Sequence, residues 1–348
     1  METLDRPIVI IGAGGIVKDA HLPAYAKARF KVEGICDIDF AKARTLAESF
    51  GIERVYSGVE EAARCAPPNA VFDIAVPASA VAGVLERLPD GRGILIQKPM
   101  GETMQQARDI RALCRSKRLV AAVNFQLRFA PAVAAARRLV EAGRIGDLVD
   151  IEVRVTVHTP WQLWTFLERS PRVEILYHSV HYIDLIRSFC GDPASIYAKT
   201  LKHPSAPKLA ATRTAMILDY GEAVRANVSV NHFHTYGTRH QESFIKWEGT
   251  RGAIKVKMGV LLDYPNGQPD EIEYVESGDG EGRAWKRLEL AGSWFPDAFA
   301  RSIASLMGYL DGASNTLPAS VEDAYRTMAV VESAYESSAR GGTAVHYD

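Results

Sequence analysis

Apolar residues in the first third of the chain form short, mostly unbroken runs, whereas later ones alternate with polar positions. Pro7–Ile11, Lys31–Cys36, Val71–Val76, Gly93–Ile96 and Leu119–Val123 are short apolar runs, as strands buried on both faces require. Helix-period stretches separate them: Ile16–Arg29, the residues leading to Leu88, and Met104–Lys117. Strand and helix in alternation predict a parallel sheet covered on both faces. Ligands of such sheets bind beyond the carboxyl ends of the strands, where the strand order reverses.

After Asn124 the pattern changes. A helix is predicted from Pro131 to Ala142, then the turn Gly143-Arg144-Ile145-Gly146-Asp147 and an alternating run, Val149–His158. Further strand-like runs at Ser195–Leu201, Thr212–Leu218, Ala223–Val230, Gln241–Glu248 and Gly252–Met258 predict an open, largely antiparallel sheet. One strong helix, Val173–Phe189, interrupts them, and helices near Pro296–Gly312 and Val321–Arg340 close the chain. The expected fold class is α/β with two domains, residues 1–124 and 125–348, the helix at about 321–340 packing back on the first.

Chemistry enters at the end of the first strand, where Ile11 runs into Gly12-Ala-Gly14-Gly15-Ile16. Gly12 permits a tight turn, Gly14 lets a pyrophosphate approach the backbone, and the helix that follows offers free N–H groups and a positive dipole end. Asp37, closing the second strand, would accept hydrogen bonds from the adenosine ribose hydroxyls and repel a 2′-phosphate. NAD is therefore expected ahead of NADP, although Lys42 and Arg44 stand close in sequence; a bland alternative has Asp37 capping the helix that starts near Phe40. Val17 stands where a small residue usually lets helix and strand pack closely.

With 348 residues, 47% hydrophobic and 24% charged, the chain can fill two globular cores. A net charge of −1 supplies no basic field for a polyanion, so nucleic acid is not an expected partner. The opening residues lack a secretory pattern and no apolar run reaches the ~18 residues that span a bilayer, so the chain reads as cytoplasmic with no membrane partner. Cys36, Cys65, Cys114 and Cys190 show no metal-ligand spacing and read as reduced core residues.

Lys98 follows a buried strand and precedes a proline, at the expected ligand edge of the sheet with Pro77 and Gln97. Partial burial would lower its pKa and let it share a proton with a substrate hydroxyl. On an α-helix from Val173, Glu174, His178 and His181 fall at steps of four and three, on one face, with Asp184 on the adjoining stripe. A histidine pair beside a carboxylate suits proton transfer near neutral pH. The same three residues would also furnish part of a zinc set, but hydride transfer with a lysine present needs no metal, and none is expected. Asn124 and Arg128 are further substrate-binding candidates. His232 and His234 would point the same way on a strand, lining a site or standing in solvent. Trp161, Trp164 and Phe166 fit either a sugar-stacking wall or a local core.

Taken in order, Gly12-Ala-Gly-Gly15, Ala20-His-Leu-Pro23, Gln97-Lys98-Pro99, Asn124 through Arg128-Phe129, Gly143-Arg-Ile-Gly146 and His181-Tyr-Ile-Asp184 resemble the Gfo/Idh/MocA oxidoreductases over nearly the whole chain. The resemblance implies an N-terminal Rossmann domain, a C-terminal α/β domain whose open sheet supports homo-oligomer contacts, as a dimer or tetramer, and NAD(P)-dependent oxidation of sugars, cyclitols or their derivatives. It also implies that Lys98 and His181 take the places of the family's catalytic lysine and histidine. Departures are Gln97 for glutamate, Tyr177 for an aspartate four residues before His181, and Val81 for a histidine. His178 or Tyr177 would then complete a proton relay with His181. The expected activity is NAD-dependent hydride removal from a hydroxyl-bearing carbon of a sugar, cyclitol or glycoside. A redox-neutral enzyme that retains NAD and a non-catalytic, sugar-sensing regulator are the alternatives at this stage.

Overall fold

The computed structural model describes residues 6–277 and 284–346. Contacts divide the chain into two compact units: the first comprises residues 1–130 with 295–328, the second residues 131–294 with 329–348.

In the first unit, six parallel strands run β1 (Ile8–Ile11), β2 (Val32–Cys36), β3 (Arg54–Val55), β4 (Val71–Ile74), β5 (Gly93–Ile96) and β6 (Val120–Val123). Their order across the sheet is β3-β2-β1-β4-β5-β6, so it reverses between β1 and β4. The apolar runs form these strands because helices cover both faces and leave no solvated side. Ile8 and Ile10 pack with Val17, Leu22, Tyr25 and Ile35, and with Phe299, Ile303, Leu306 and Met307 of the helix Asp297–Leu310. That helix buries residues spaced three and four apart. Sequence order assigned it to the second domain, but its contacts are with the first sheet. Gly93 shows how close the approach is: a Cβ there would lie 2.4 Å from Leu310 Cδ1. Cys36 and Cys114 are buried as expected, while Cys65, ending the short helix Val59–Cys65, is exposed.

The second unit is built on an eight-stranded sheet: β7 (Leu148–Thr156), β8 (Ser195–Leu201), β9 (Arg213–Asp219), β10 (Arg225–Asn231), β11 (Glu242–Gly249), β12 (Gly252–Lys257), β13 (Glu271–Glu276) and β14 (Lys286–Leu288). The order is β14-β13-β12-β11-β7-β10-β9-β8; β7 and β10 pair in parallel and every other pair is antiparallel. Alternation along the strands is matched by alternating burial: Ile151, Val153 and Val155 of β7 face inward with Val228 of β10 and Ile245 and Trp247 of β11. The helix anticipated over Val173–Phe189 is not uniform. It opens with a π turn, Ile175–Ser179, before the α-helix Val180–Cys190. The closing helix, Val321–Arg340, is divided by its contacts, residues to Met328 belonging with the first unit and those from Ala329 with the second.

Candidate active site

Register decides what meets at the carboxyl edge of the first sheet. Ile11 is level with Cys36, Ile74 with Ile11 and Ile96, and Ile96 with Val123. One residue further, Gly12, Asp37, Ala75, Gln97 and Asn124 therefore share one rim.

Gly12 is buried at φ +116, and a Cβ there would stand 2.4 Å from the Ala75 carbonyl oxygen, so only glycine fits. The fold itself makes no such demand of Gly14 and Gly15, which are exposed; a Cβ on Gly14 meets nothing within 4 Å, and on Gly15 only Asp19 Oδ2 at 3.8 Å. Beyond half-buried Ile16 the chain enters a π turn, Val17–His21, whose Val17 is fully buried. Asp37 Oδ2 accepts the Ala13 N–H at 2.6 Å and Oδ1 accepts the Asp39 N–H at 2.8 Å, tying the glycine loop to the second strand. The cap of the helix Phe40–Phe50 is Asp39, which accepts from the Lys42 N–H, and not Asp37.

Pro77 is exposed at the head of a short 3₁₀ turn, Ala78–Ala80, and Val81 behind it is fully buried. Gln97 spends its side-chain oxygen on the backbone N–H of Lys98, 3.2 Å away. Lys98 is half-buried, and desolvation pushes its ammonium down to about 8. Asn124 is fully buried, and among the described residues neither its amide oxygen nor its amide nitrogen has a hydrogen-bond partner. The open glycine loop and the anchored Asp37 carboxylate follow the neighbouring strands β1 and β2 and fit a polar, dinucleotide-sized ligand, while Asn124 lies farther along the same edge, past β4 and β5. Arg128, in the 3₁₀ turn Gln126–Phe129, is engaged by Asp323 at 2.7 Å.

Beneath this rim lies a polar cluster that sequence reasoning missed. His21 Nδ1 is 2.6 Å from Asp73 Oδ2, and the Tyr25 hydroxyl donates to the same oxygen at 2.8 Å; all three are fully buried. Burial and the Asp73 charge raise the Tyr25 phenol well above its ordinary value, keeping it a donor. The signal was an aspartate inside the apolar strand Val71-Phe-Asp-Ile74, which had to find partners. Asp73→Asn is expected to cost on the order of 2–3 kcal/mol in urea denaturation, because it removes the charge that strengthens both contacts to Oδ2 and buries an amide NH2 where Oδ1 has no hydrogen-bond partner among the described residues.

In the second unit, the π turn redistributes the helical residues expected on one face. Glu174, fully buried, receives the Ser179 hydroxyl at 2.7 Å, an i to i+5 contact, and faces His232 Nε2 at 3.5 Å. His232 is buried just past β10, not solvated, and desolvation lowers it to about 4. Its ring lies 4.5 Å from that of half-buried His178. His234 turns elsewhere, 5.8 Å from Tyr236, because the strand has already ended at Asn231. Trp161 joins a local core with Leu167, Val173, Ala206 and Leu209, Trp164 and Tyr177 pack against it, and Phe166 is exposed beside Tyr177. His181 is buried edge-on to Trp294 at 6.2 Å, and the Trp294 backbone N–H donates to Asp270 at 2.6 Å. Among the described residues, no group of three or more histidine, cysteine or acidic side chains is arranged to hold a metal.

Residues 6–125 match the family model described as an oxidoreductase family with an NAD-binding Rossmann fold, and residues 133–255 match the Gfo/Idh/MocA C-terminal domain. The chain belongs to the Gfo/Idh/MocA family. Among its relatives, the D-apiose dehydrogenase of Rhizobium rhizogenes is 25% identical over 90% of this chain and 89% of its own. The inositol 2-dehydrogenase of Rhizobium meliloti is 24% identical over 95% and 96%. A solved Agrobacterium radiobacter oxidoreductase, bound to NAD+, L-tartaric acid and magnesium, superposes with a TM-score of 0.80 at 21% identity, covering 97% of each chain. That likeness shows the fold. As a Gfo/Idh/MocA oxidoreductase, the protein has an NAD-binding Rossmann unit, and the open loop at Gly14 and the Asp37 carboxylate beside it are of a kind that suits the dinucleotide. Among the described residues, no helix is long and apolar enough to cross a membrane.

Proposed function

We propose that the protein is a dehydrogenase that oxidises a CH–OH carbon of a sugar, cyclitol or glycoside, with Lys98 and His181 in proton transfer. The observation that carries the reading is Lys98, held half-buried with a lowered pKa on the rim that also bears Gly12, Asp37 and Asn124. Relatives named for apiose and inositol oxidation support the polyol class. Bound NAD+ supplies the hydride acceptor. The Lys98 ammonium polarises the substrate hydroxyl oxygen, and His181, packed edge-on against Trp294, accepts the hydroxyl proton as the carbonyl forms. The balance is alcohol and NAD+ to ketone or lactone, NADH and one proton.

Absorbance at the NADH band, with a panel of aldoses, inositols and glycosides and with NAD+ or NADP+, tests the reading. NADH formed with one substrate class supports it; tight NAD binding with silence across the panel sinks it. The cofactor choice has its own test. Asp37→Asn keeps an acceptor for a loop N–H but removes the charge, so the NADP+ to NAD+ ratio of kcat/KM is expected to rise about 10-fold or more.

A further inference from the structure

Glu174 was a substrate-binding candidate, yet its side chain is fully enclosed by protein. Its surroundings contain the Ser179 hydroxyl and Tyr182 on its own helix, Thr214 on β9, Tyr335 on the closing helix and His232 after β10. Among the described residues no lysine or arginine is paired with it, and Arg172, the nearest arginine in sequence, is engaged by Glu332 at 2.6 Å. A carboxyl so placed ionises reluctantly, and desolvation raises it to about 7.

The imidazole facing it has two usable states. His232 Nδ1 lies 3.2 Å from the Thr159 hydroxyl, which can accept or donate, while Nε2 faces Glu174 Oε1. With Glu174 protonated, the carboxyl O–H is presented to a lone pair on Nε2, and Nδ1–H donates to Thr159. With Glu174 ionised, the ring is better served by Nε2–H toward the carboxylate and by Nδ1 accepting from Thr159. The Trp161 indole N–H, bound to the His232 carbonyl at 3.2 Å, keeps the backbone fixed while the proton changes place. His178 packs between the Trp161 ring, 5.1 Å away, and the His232 ring, 4.5 Å away, so its ring lies against the imidazole whose tautomer changes.

We propose that Glu174 and His232 form a buried pair in which the protonation of Glu174 sets the tautomer of His232, and that this tautomer positions His178, making Glu174 and His232 positioning residues of the enzyme and not substrate contacts. Ionisation of Glu174 sends its proton to solvent, and the neutral His232 ring exchanges its single N–H between Nδ1 and Nε2; no group is oxidised or reduced. Only the kinetic arm of the test rests on the dehydrogenase reading.

Imidazole ¹⁵N NMR of the intact protein, with and without NAD+, decides the pair independently of activity. His232 is expected to remain neutral and to exchange its protonated nitrogen near pH 7, with His178 shifting at the same midpoint. In Glu174→Gln both steps should disappear; in Thr159→Val the ring should stay Nε2-protonated. A His232 tautomer unchanged from pH 5 to 9 in the wild-type protein overturns the pair, as does a His178 step that survives Glu174→Gln. In turnover, Glu174→Gln should lower kcat about 10-fold with KM values within about twofold, and unchanged kcat overturns the positioning role. If the wild-type protein reduces no NAD+ with any substrate while the NMR steps are present, the pair stands and the dehydrogenase reading falls.

Discussion

Lys98→Ala is expected to lower kcat by a factor on the order of 10² or more while leaving the dissociation constant for NADH within about twofold. The reason is positional. Lys98 leaves the edge of β5, where a half-buried ammonium can polarise an oxygen, whereas the glycine loop and Asp37 that suit the dinucleotide belong to β1 and β2. Lys98→Arg should not restore turnover, since a guanidinium stays protonated and needs more room. Stability moves the other way. Burial holds the native ammonium near 8, below its ordinary value, so a cost of confining charge is fully present below about pH 8. Between pH 8 and the ordinary lysine range the unfolded chain binds a proton that the native chain does not, and stability rises with pH. Lys98→Met should therefore be more stable than the wild type at pH 7, by on the order of 1–3 kcal/mol, and should lack that rise. Urea titrations at pH 7 and pH 10, beside steady-state kinetics, check both halves; a methionine variant that loses stability together with activity would refute the burial argument.

Gly12→Ala should destabilise the protein by about 2–4 kcal/mol and abolish saturable NADH binding at millimolar cofactor. The estimate adds the strain of a non-glycine residue at φ +116 to the overlap of its Cβ with the Ala75 carbonyl oxygen, 2.4 Å away. Neither can relax cheaply, because the oxygen belongs to the backbone beyond a central strand. Gly14→Ala is the instructive partner. Its Cβ would enter open space, so denaturation should change by less than about 0.5 kcal/mol, while NADH affinity falls roughly 10-fold if the loop N–H groups receive the pyrophosphate. Fluorescence titration with NADH and urea denaturation separate the two glycines. Equal losses of stability in both variants would remove the distinction between a turn glycine and a ligand glycine.

Five strands of the first sheet were legible because each lies in a short apolar run closed by a glycine, proline or polar residue, Gly93–Ile96 being found with the same bounds, whereas the two-residue edge strand Arg54–Val55 has no such run and was missed. Six strands of the second sheet, β7 to β12, were legible for the complementary reason, a solvated face, while β13 and the three-residue β14 at its edge were not anticipated. The helix Asp297–Leu310 was visible as a helix but not as a piece of the first unit, since amphipathic spacing says which face is buried and not against what. Glu174, His178 and His181 illustrate the other limit. Spacing of four and three predicts a shared face only if the helix keeps 3.6 residues per turn, and no residue type in Glu174-Ile-Leu-Tyr-His-Ser179 announces a wider turn. His232, far along the chain, became the partner of Glu174 through the order β7-β10-β9, which no local pattern encodes.

The π turn at Ile175–Ser179 works as a crank in the helix. One residue more than an α turn needs rotates everything before it by roughly 100° relative to everything after. Removing a single residue from that turn would let the helix close into regular α geometry, with the better hydrogen bonding that implies. It would also swing Glu174 out of reach of Ser179 and His232 without altering any of their chemical identities. A shortened protein that melts higher yet turns over more slowly would mean that this helix was kept imperfect because its phase, and not its strength, is what serves the reaction.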